Sequence, residues 1–170
     1  MWGYTGQKRP PFAEEPAPGQ ESVWDYPRPP LLVPCDSLIE VFNGQVLLAR
    51  SRGASRVLET ASPPTYYLPA AAIQWQQLVR TPHRSHCEWK GEATYWALAG
   101  EPAGQPVAWS YENPSPRFTA IDGAVSFYPA RVACYVDGER VQPQPGEFYG
   151  GWVTGAIAGP FKGGPGTGHW

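Results

Sequence analysis

Residues 38–49 read LIEVFNGQVLLA. Two apolar runs, LIEVF and QVLLA, flank Asn43-Gly44, a dipeptide suited to the positive φ angles of a tight hairpin turn. The stretch therefore predicts a β-hairpin over about 38–49. Composition extends that reading to the whole chain. Its 170 residues include 21 Pro and 19 Gly, which interrupt helices, and 8 Trp, which bury large surfaces in a small core. The chain is expected to be mainly β, built from short strands with one or two short helices.

Downstream, RVLE (56–59) and TYYL (65–68) read as short strands separated by Pro63-Pro64, and Pro69 ends the second. Ala70 to Gln74 suit a single helical turn, and a strand follows through Leu78-Val79. In EATYWALA (92–99) the side chains alternate. Ala93, Tyr95 and Ala97 share one face and Thr94, Trp96 and Leu98 the other, as in a strand covered on both sides. Val107, Trp109 and Tyr111 share a face of the next strand. SPRFTAI (115–121) suits a short helix with Pro116 at its first position. Val125 to Tyr128 form a strand, and ACYVDGERV (133–141) a second hairpin about Asp137-Gly138. There is no internal repeat.

Length limits the chain to one principal domain with tails. Residues 1–36 are a Pro- and aromatic-rich N-terminal arm, residues 37–142 the β domain, and residues 143–170 a Gly-, Pro- and aromatic-rich C-terminal arm. A free tail is usually poor in aromatics, yet Trp2, Tyr4, Phe12, Trp24 and Tyr26 lie in the first arm. The arms can dock on their own core or on a partner, including a second copy of the chain.

Lys and Arg number 13 against 15 Asp and Glu, a formal net charge of −2. Such a balance offers no basic excess for a nucleic-acid backbone. No signal-peptide pattern opens the sequence, and no run approaches the roughly 20 apolar residues of a membrane span. The expectation is a cytoplasmic protein with neither nucleic-acid nor membrane partners. Three isolated cysteines, Cys35, Cys87 and Cys134, suit reduced thiols there.

His83, His86 and Cys87 carry metal-binding chemistry, but no second His/Cys pair completes a four-ligand set, so no metal or other cofactor is expected. His86 and Cys87 are neighbours on a strand and diverge to opposite faces, which disfavours a catalytic pair. The tail GPFKGGPGTGHW resembles a phosphate loop only superficially, since Lys162 precedes its glycines and no helix follows. More informative are aromatics on facing strands, Tyr67, Trp89, Tyr95, Trp109 and Tyr111, with polar groups at strand ends, Arg56, Glu59, Thr60 and Lys90. Convergent polar groups over aromatic walls describe a small-ligand pocket. The plainer alternative is a core of aromatics with a surface salt bridge from Lys90 to Glu59 or Glu92.

The segments RVLETASPPTYYLP (56–69), HRSHCEWKGEATYW (83–96), AWSYENPSP (108–116) and GAVSFYPARV (123–132) closely resemble the bacterial family called domain of unknown function 427. The flanks ESVWDYPRPP and VQPQPGEFYGGW resemble those of a long form of that family. The resemblance implies a β-tent-like fold, two antiparallel sheets meeting at an angle and pinned at one end, with extended terminal arms. Zinc held by two cysteine pairs accompanies some relatives of that architecture, and neither pair exists here.

The leading expectation is a β-rich module that binds a small planar or polar ligand between aromatics, oriented by Arg56, Glu59 and Lys90. The family is also labelled nucleotidyltransferase-like. That label implies an alternative, an enzyme using the same pocket with Glu59 as acid or base and Lys90 as charge stabiliser or nucleophile. Glu59, Glu88, Glu92 and Asp122 lack the clustered spacing that would hold magnesium for nucleotidyl transfer. A third expectation is an interaction protein that works through its arms.

Overall fold

The structure is a computed structural model and describes residues 3–87, 90–146 and 149–170. It is mainly β. The hairpin is formed by Ile39–Asn43 and Val46–Ser51, with Asn43 paired to Val46. The turn therefore lies one residue later than the Asn-Gly pattern suggests, on Gly44-Gln45. Only Gly44 has a positive φ, of 60°, the arrangement of a II′ turn, which takes glycine at its first position. Pairing slips between Val41–Ala49 and Phe42–Leu47, leaving Leu48 as a bulge. The extra residue lets consecutive Leu48 and Ala49 both enter the core.

Ala133–Val136 pairs with the first hairpin strand, and Glu139–Arg140 completes this four-stranded antiparallel sheet. Here the expected turn is met: Asp137 and Gly138 have φ of 48° and 83°, both positive as a I′ turn requires. A second four-stranded antiparallel sheet runs in the order Val125–Phe127, Ala108–Glu112, Gly91–Leu98, Leu78–Cys87. Its register places Tyr95 opposite Trp109 and Ala93 opposite Tyr111. Those side chains share one face. Trp96, Ala108 and Phe127 occupy the other, which contributes to a core with Ile39, Val41 and Leu48 of the first sheet.

A third antiparallel sheet consists of Leu31–Pro34, Ser55–Leu58 and Thr65–Tyr67. It sends Val57 and Tyr67 against Trp109. Leu68 and Val125 exchange two 2.8 Å backbone hydrogen bonds and so join this sheet to the second four-stranded one. Leu31–Pro34 falls in the Pro-rich arm by composition, yet it is an edge strand here, a place where proline's missing N–H costs no ladder bond. Among the described residues the helical segments are short 3₁₀ turns, at Val23–Asp25, Ala70–Ala72, Trp75–Gln77 and Pro116–Ile121. None is long and apolar enough to cross a membrane.

Both arms dock on the chain itself. Glu21–Ser22 pairs in parallel with Ile157–Ala158, tying one arm to the other. Trp24 is fully buried against Tyr4, Phe12 and Trp170, and its indole donates to the Pro160 carbonyl at 3.1 Å. Trp152 stacks on Tyr66 and donates to the Phe127 carbonyl at 2.9 Å, inside the main core. Each indole is thus buried with its polar edge satisfied.

Candidate functional site

A cleft of about 730 Å³ lies between the three-stranded sheet and the Tyr95–Trp109–Tyr111 face of the second four-stranded sheet. Strand alternation builds it. Val57, Thr65 and Tyr67 face it from one sheet, and Ser85, Cys87, Tyr95, Trp109 and Tyr111 from the other. The C-terminal arm supplies a further wall through Gln144, Tyr149, Gly150, Gly151 and Lys162.

The aromatic groups touch in series. Lys90 Nζ lies 5.6 Å from the centre of the Tyr111 ring, and Tyr111 lies 6.3 Å from Tyr67. Tyr67 meets Trp109 edge-on at 6.2 Å, Trp109 meets Tyr128 at 4.6 Å, and the Arg131 guanidinium lies 4.3 Å from the Tyr128 ring. A cation therefore stands at each end of four aromatic rings, at a range where a ring's electron-rich face attracts positive charge. The order is locked by the Trp109 indole, which donates to the Tyr67 hydroxyl at 3.2 Å. On the flank, Tyr95 shares a 2.8 Å hydrogen bond with Ser85 and packs against His83.

Burial raises the pKa of Tyr128 to about 12 and also pushes that of Tyr111 up, with neighbouring tyrosines adding to the rise. Both phenols stay neutral at physiological pH. Glu59 lies 3.6 Å from Arg28, and Glu92 shares a 2.9 Å hydrogen bond with His86. The salt bridge from Lys90 to Glu59 or Glu92, the plainer alternative to a pocket, is not formed. His86 joins Glu92 on the face away from Tyr95 while Cys87 turns toward the cleft, as strand alternation requires.

Of the residues singled out by sequence, Glu59, Tyr67, Lys90, Tyr95, Trp109 and Tyr111 line this one cleft. Arg56 does not. It alternates with Val57 and so points away, forming a 2.8 Å ion pair with Glu21 of the N-terminal arm. Thr60 is also elsewhere, fully buried, its hydroxyl donating to the Tyr26 carbonyl. Trp89 lies outside the described residues. Sequence reasoning missed Tyr128, Arg131 and the C-terminal wall. The YPAR segment (128–131) was visible as a motif, but the approach of Gly150 to Trp109 joins residues 41 positions apart and has no local signal.

Neutral phenols, an indole and two cations, Lys90 and Arg131, without a carboxylate partner among the described residues suit non-covalent capture of a flat molecule. Among the described residues no group of three or more His, Cys, Asp or Glu side chains is placed to hold a metal ion. A smaller depression of about 400 Å³ beside Phe42 and Asn43 contains none of the sequence-predicted residues and shares only Arg131 with the cleft.

Residues 31–138 match the family described as Domain of unknown function (DUF427). No curated protein matches the chain.

Proposed function

The chain belongs to the DUF427 family, and from that premise we propose that it is a binding module that captures a small planar ligand in the aromatic cleft. The observation carrying the proposal is the convergence of six residues from three strands and two turns or loops, Glu59, Tyr67, Lys90, Tyr95, Trp109 and Tyr111, on one concave surface. A purely structural cluster would fill its own space. Here a cavity of about 730 Å³ remains, lined by Tyr95, Trp109 and Tyr111, with room for a flat guest.

The test is native mass spectrometry of the purified chain, followed by release and identification of small molecules. An aromatic or heteroaromatic compound released in stoichiometric amount, and lost from Trp109→Ala, supports the proposal. A ligand-free protein whose tryptophan fluorescence answers to no compound in a panel of nucleobases, flavins and aromatic acids overturns it. Catalysis in the same cleft is a second reading, favoured by the joint presence of Glu59 and Lys90 in the lining. It predicts a chemically altered ligand after incubation, and loss of that change in Glu59→Gln with binding retained.

A further inference from the structure

We infer that the ligand of this cleft is a planar anion carrying an acidic group toward each end, one met by Lys90 and the other by Arg131. The inference rests on the binding proposal above and names the chemistry of its guest.

The first support is the charge of the lining. Although the chain has a formal net charge of −2, its described cleft residues include Lys90, Arg131 and Lys162 against one carboxylate, Glu59. Glu59 is already compensated by Arg28 at 3.6 Å. Among the described residues, neither Lys90 nor Arg131 has a carboxylate within ion-pairing distance, whereas Arg9, Arg28, Arg50, Arg56 and Arg80 each have one. Among the described residues, the cleft thus holds two cations with no carboxylate counter-charge of their own. A ligand anion would complete both.

The second support is position. Lys90 and Arg131 both line the cleft, Lys90 beside Tyr111 and Arg131 beside Tyr128, the first and last rings of the contact series, so a guest that spans the cleft can meet one cation with each end. Arg131 is also held by a hydrogen bond from its guanidinium to the Pro106 carbonyl, which fixes the fork and leaves further N–H groups to donate. The third support is the state of the phenols. Tyr111 and Tyr128 remain neutral, so no phenolate cancels the cations, and among the described residues neither hydroxyl makes a hydrogen bond. Each can donate to an acid oxygen. Lys162 is partly committed, since its ammonium already donates to the Trp170 carbonyl at 3.1 Å.

The experiment compares para-linked biphenyl dicarboxylate, biphenyl monocarboxylate and biphenyl dicarboxamide by fluorescence titration of the full chain. Biphenyl phosphate distinguishes a site for phosphate from one for carboxylate. Each charge-assisted hydrogen bond to a carboxylate should strengthen binding about tenfold, giving the order dicarboxylate, monocarboxylate, dicarboxamide. In Lys90→Met and in Arg131→Met the preference for dicarboxylate over monocarboxylate should disappear, and thermal melts should show both variants folded. Equal binding of dicarboxamide and dicarboxylate overturns this inference while leaving the cleft a binding site. Failure of all four probes, with no ligand released from the native protein, removes the binding proposal and this inference with it.

Discussion

Gly150 lies against the indole of Trp109 so closely that a Cβ at this position would stand 2.4 Å from Cη2 and 2.7 Å from Cζ3 of the ring. The backbone of the C-terminal arm thus forms a wall of the cleft directly, with no side chain between. The contact also limits Trp109 itself, which is held further by its hydrogen bond to Tyr67 and by packing on Tyr128.

Gly150→Ala should therefore destabilise the protein by about 1–3 kcal/mol, because a ring fixed at one edge cannot retreat from the new methyl group without breaking its bond or lifting the arm. Gly100→Ala is the control, as a Cβ there meets nothing within 4 Å. Denaturant melts of both variants check the contrast. Equal midpoints would mean that the arm yields freely and forms no fixed wall.

Tyr67→Phe should cost about 1–3 kcal/mol even though it removes a single oxygen, because it leaves the indole N–H of Trp109 buried without an acceptor. Both residues are buried, Tyr67 at 1% and Trp109 at 7% exposure, so water cannot readily take the hydroxyl's place. Combining Tyr67→Phe with Trp109→Phe should cost less than the sum of the two single changes, since the second removes the donor that the first strands. Additive losses in the double-mutant cycle would show that the bond contributes nothing.

Patterns of short range carried most of what the sequence revealed. The alternation of EATYWALA places Tyr95 and Trp96 on opposite faces in the structure, and Asp137-Gly138 forms the turn its φ preferences demand. Asn43-Gly44 misled by one residue, because the Leu48 bulge and a II′ turn on Gly44 offered another way to bury Leu48 and Ala49 together. The site was legible where strand periodicity decided it, at Tyr67, Tyr95, Trp109 and Tyr111. It was not legible at Arg56, where the same periodicity turns the side chain outward and its partner Glu21 lies 35 residues away. The Gly150 wall and Arg131 depend on arm docking and loop course, which no local pattern encodes.

Trp24→Ala should cost about 3–5 kcal/mol, the range for removing a large buried aromatic side chain, and should loosen both arms together. Its ring contacts Phe12 and Trp170, and its N–H holds the Pro160 carbonyl, so one side chain ties the two termini. Limited proteolysis checks the coupling. In the variant, cleavage in the C-terminal arm should accelerate, and because Lys162 and Tyr149 line the cleft, ligand binding should weaken as well. A C-terminal arm that stays protected when Trp24 is gone would mean that the termini dock independently.

An ion pair with Glu21 holds Arg56 away from the cleft. Glu21 accepts from Arg56 at 2.8 and 3.3 Å and from the Tyr26 hydroxyl at 2.8 Å, and hydrogen bonding by Arg56 holds the Glu21 carboxyl below its ordinary value of 4.5. A carboxyl whose folded pKa is depressed contributes stability above its unfolded pKa, and that contribution is lost as pH falls through the folded pKa. Glu21→Gln lacks it throughout. The melting temperature of the parent should therefore exceed that of Glu21→Gln at neutral pH, and the gap should close as the pH is lowered from the ordinary glutamate range through the depressed one. Asp25 is also held low, by its hydrogen bond from Arg9, but it is present in both proteins and cancels in the difference. Because the Glu21 side chain is 46% exposed, added salt should also narrow the gap at neutral pH. A gap unchanged from neutral to acid pH would mean that the Glu21 carboxylate adds nothing beyond its shape, and that the N-terminal arm is held by its strand pairing and the Trp24 cluster instead.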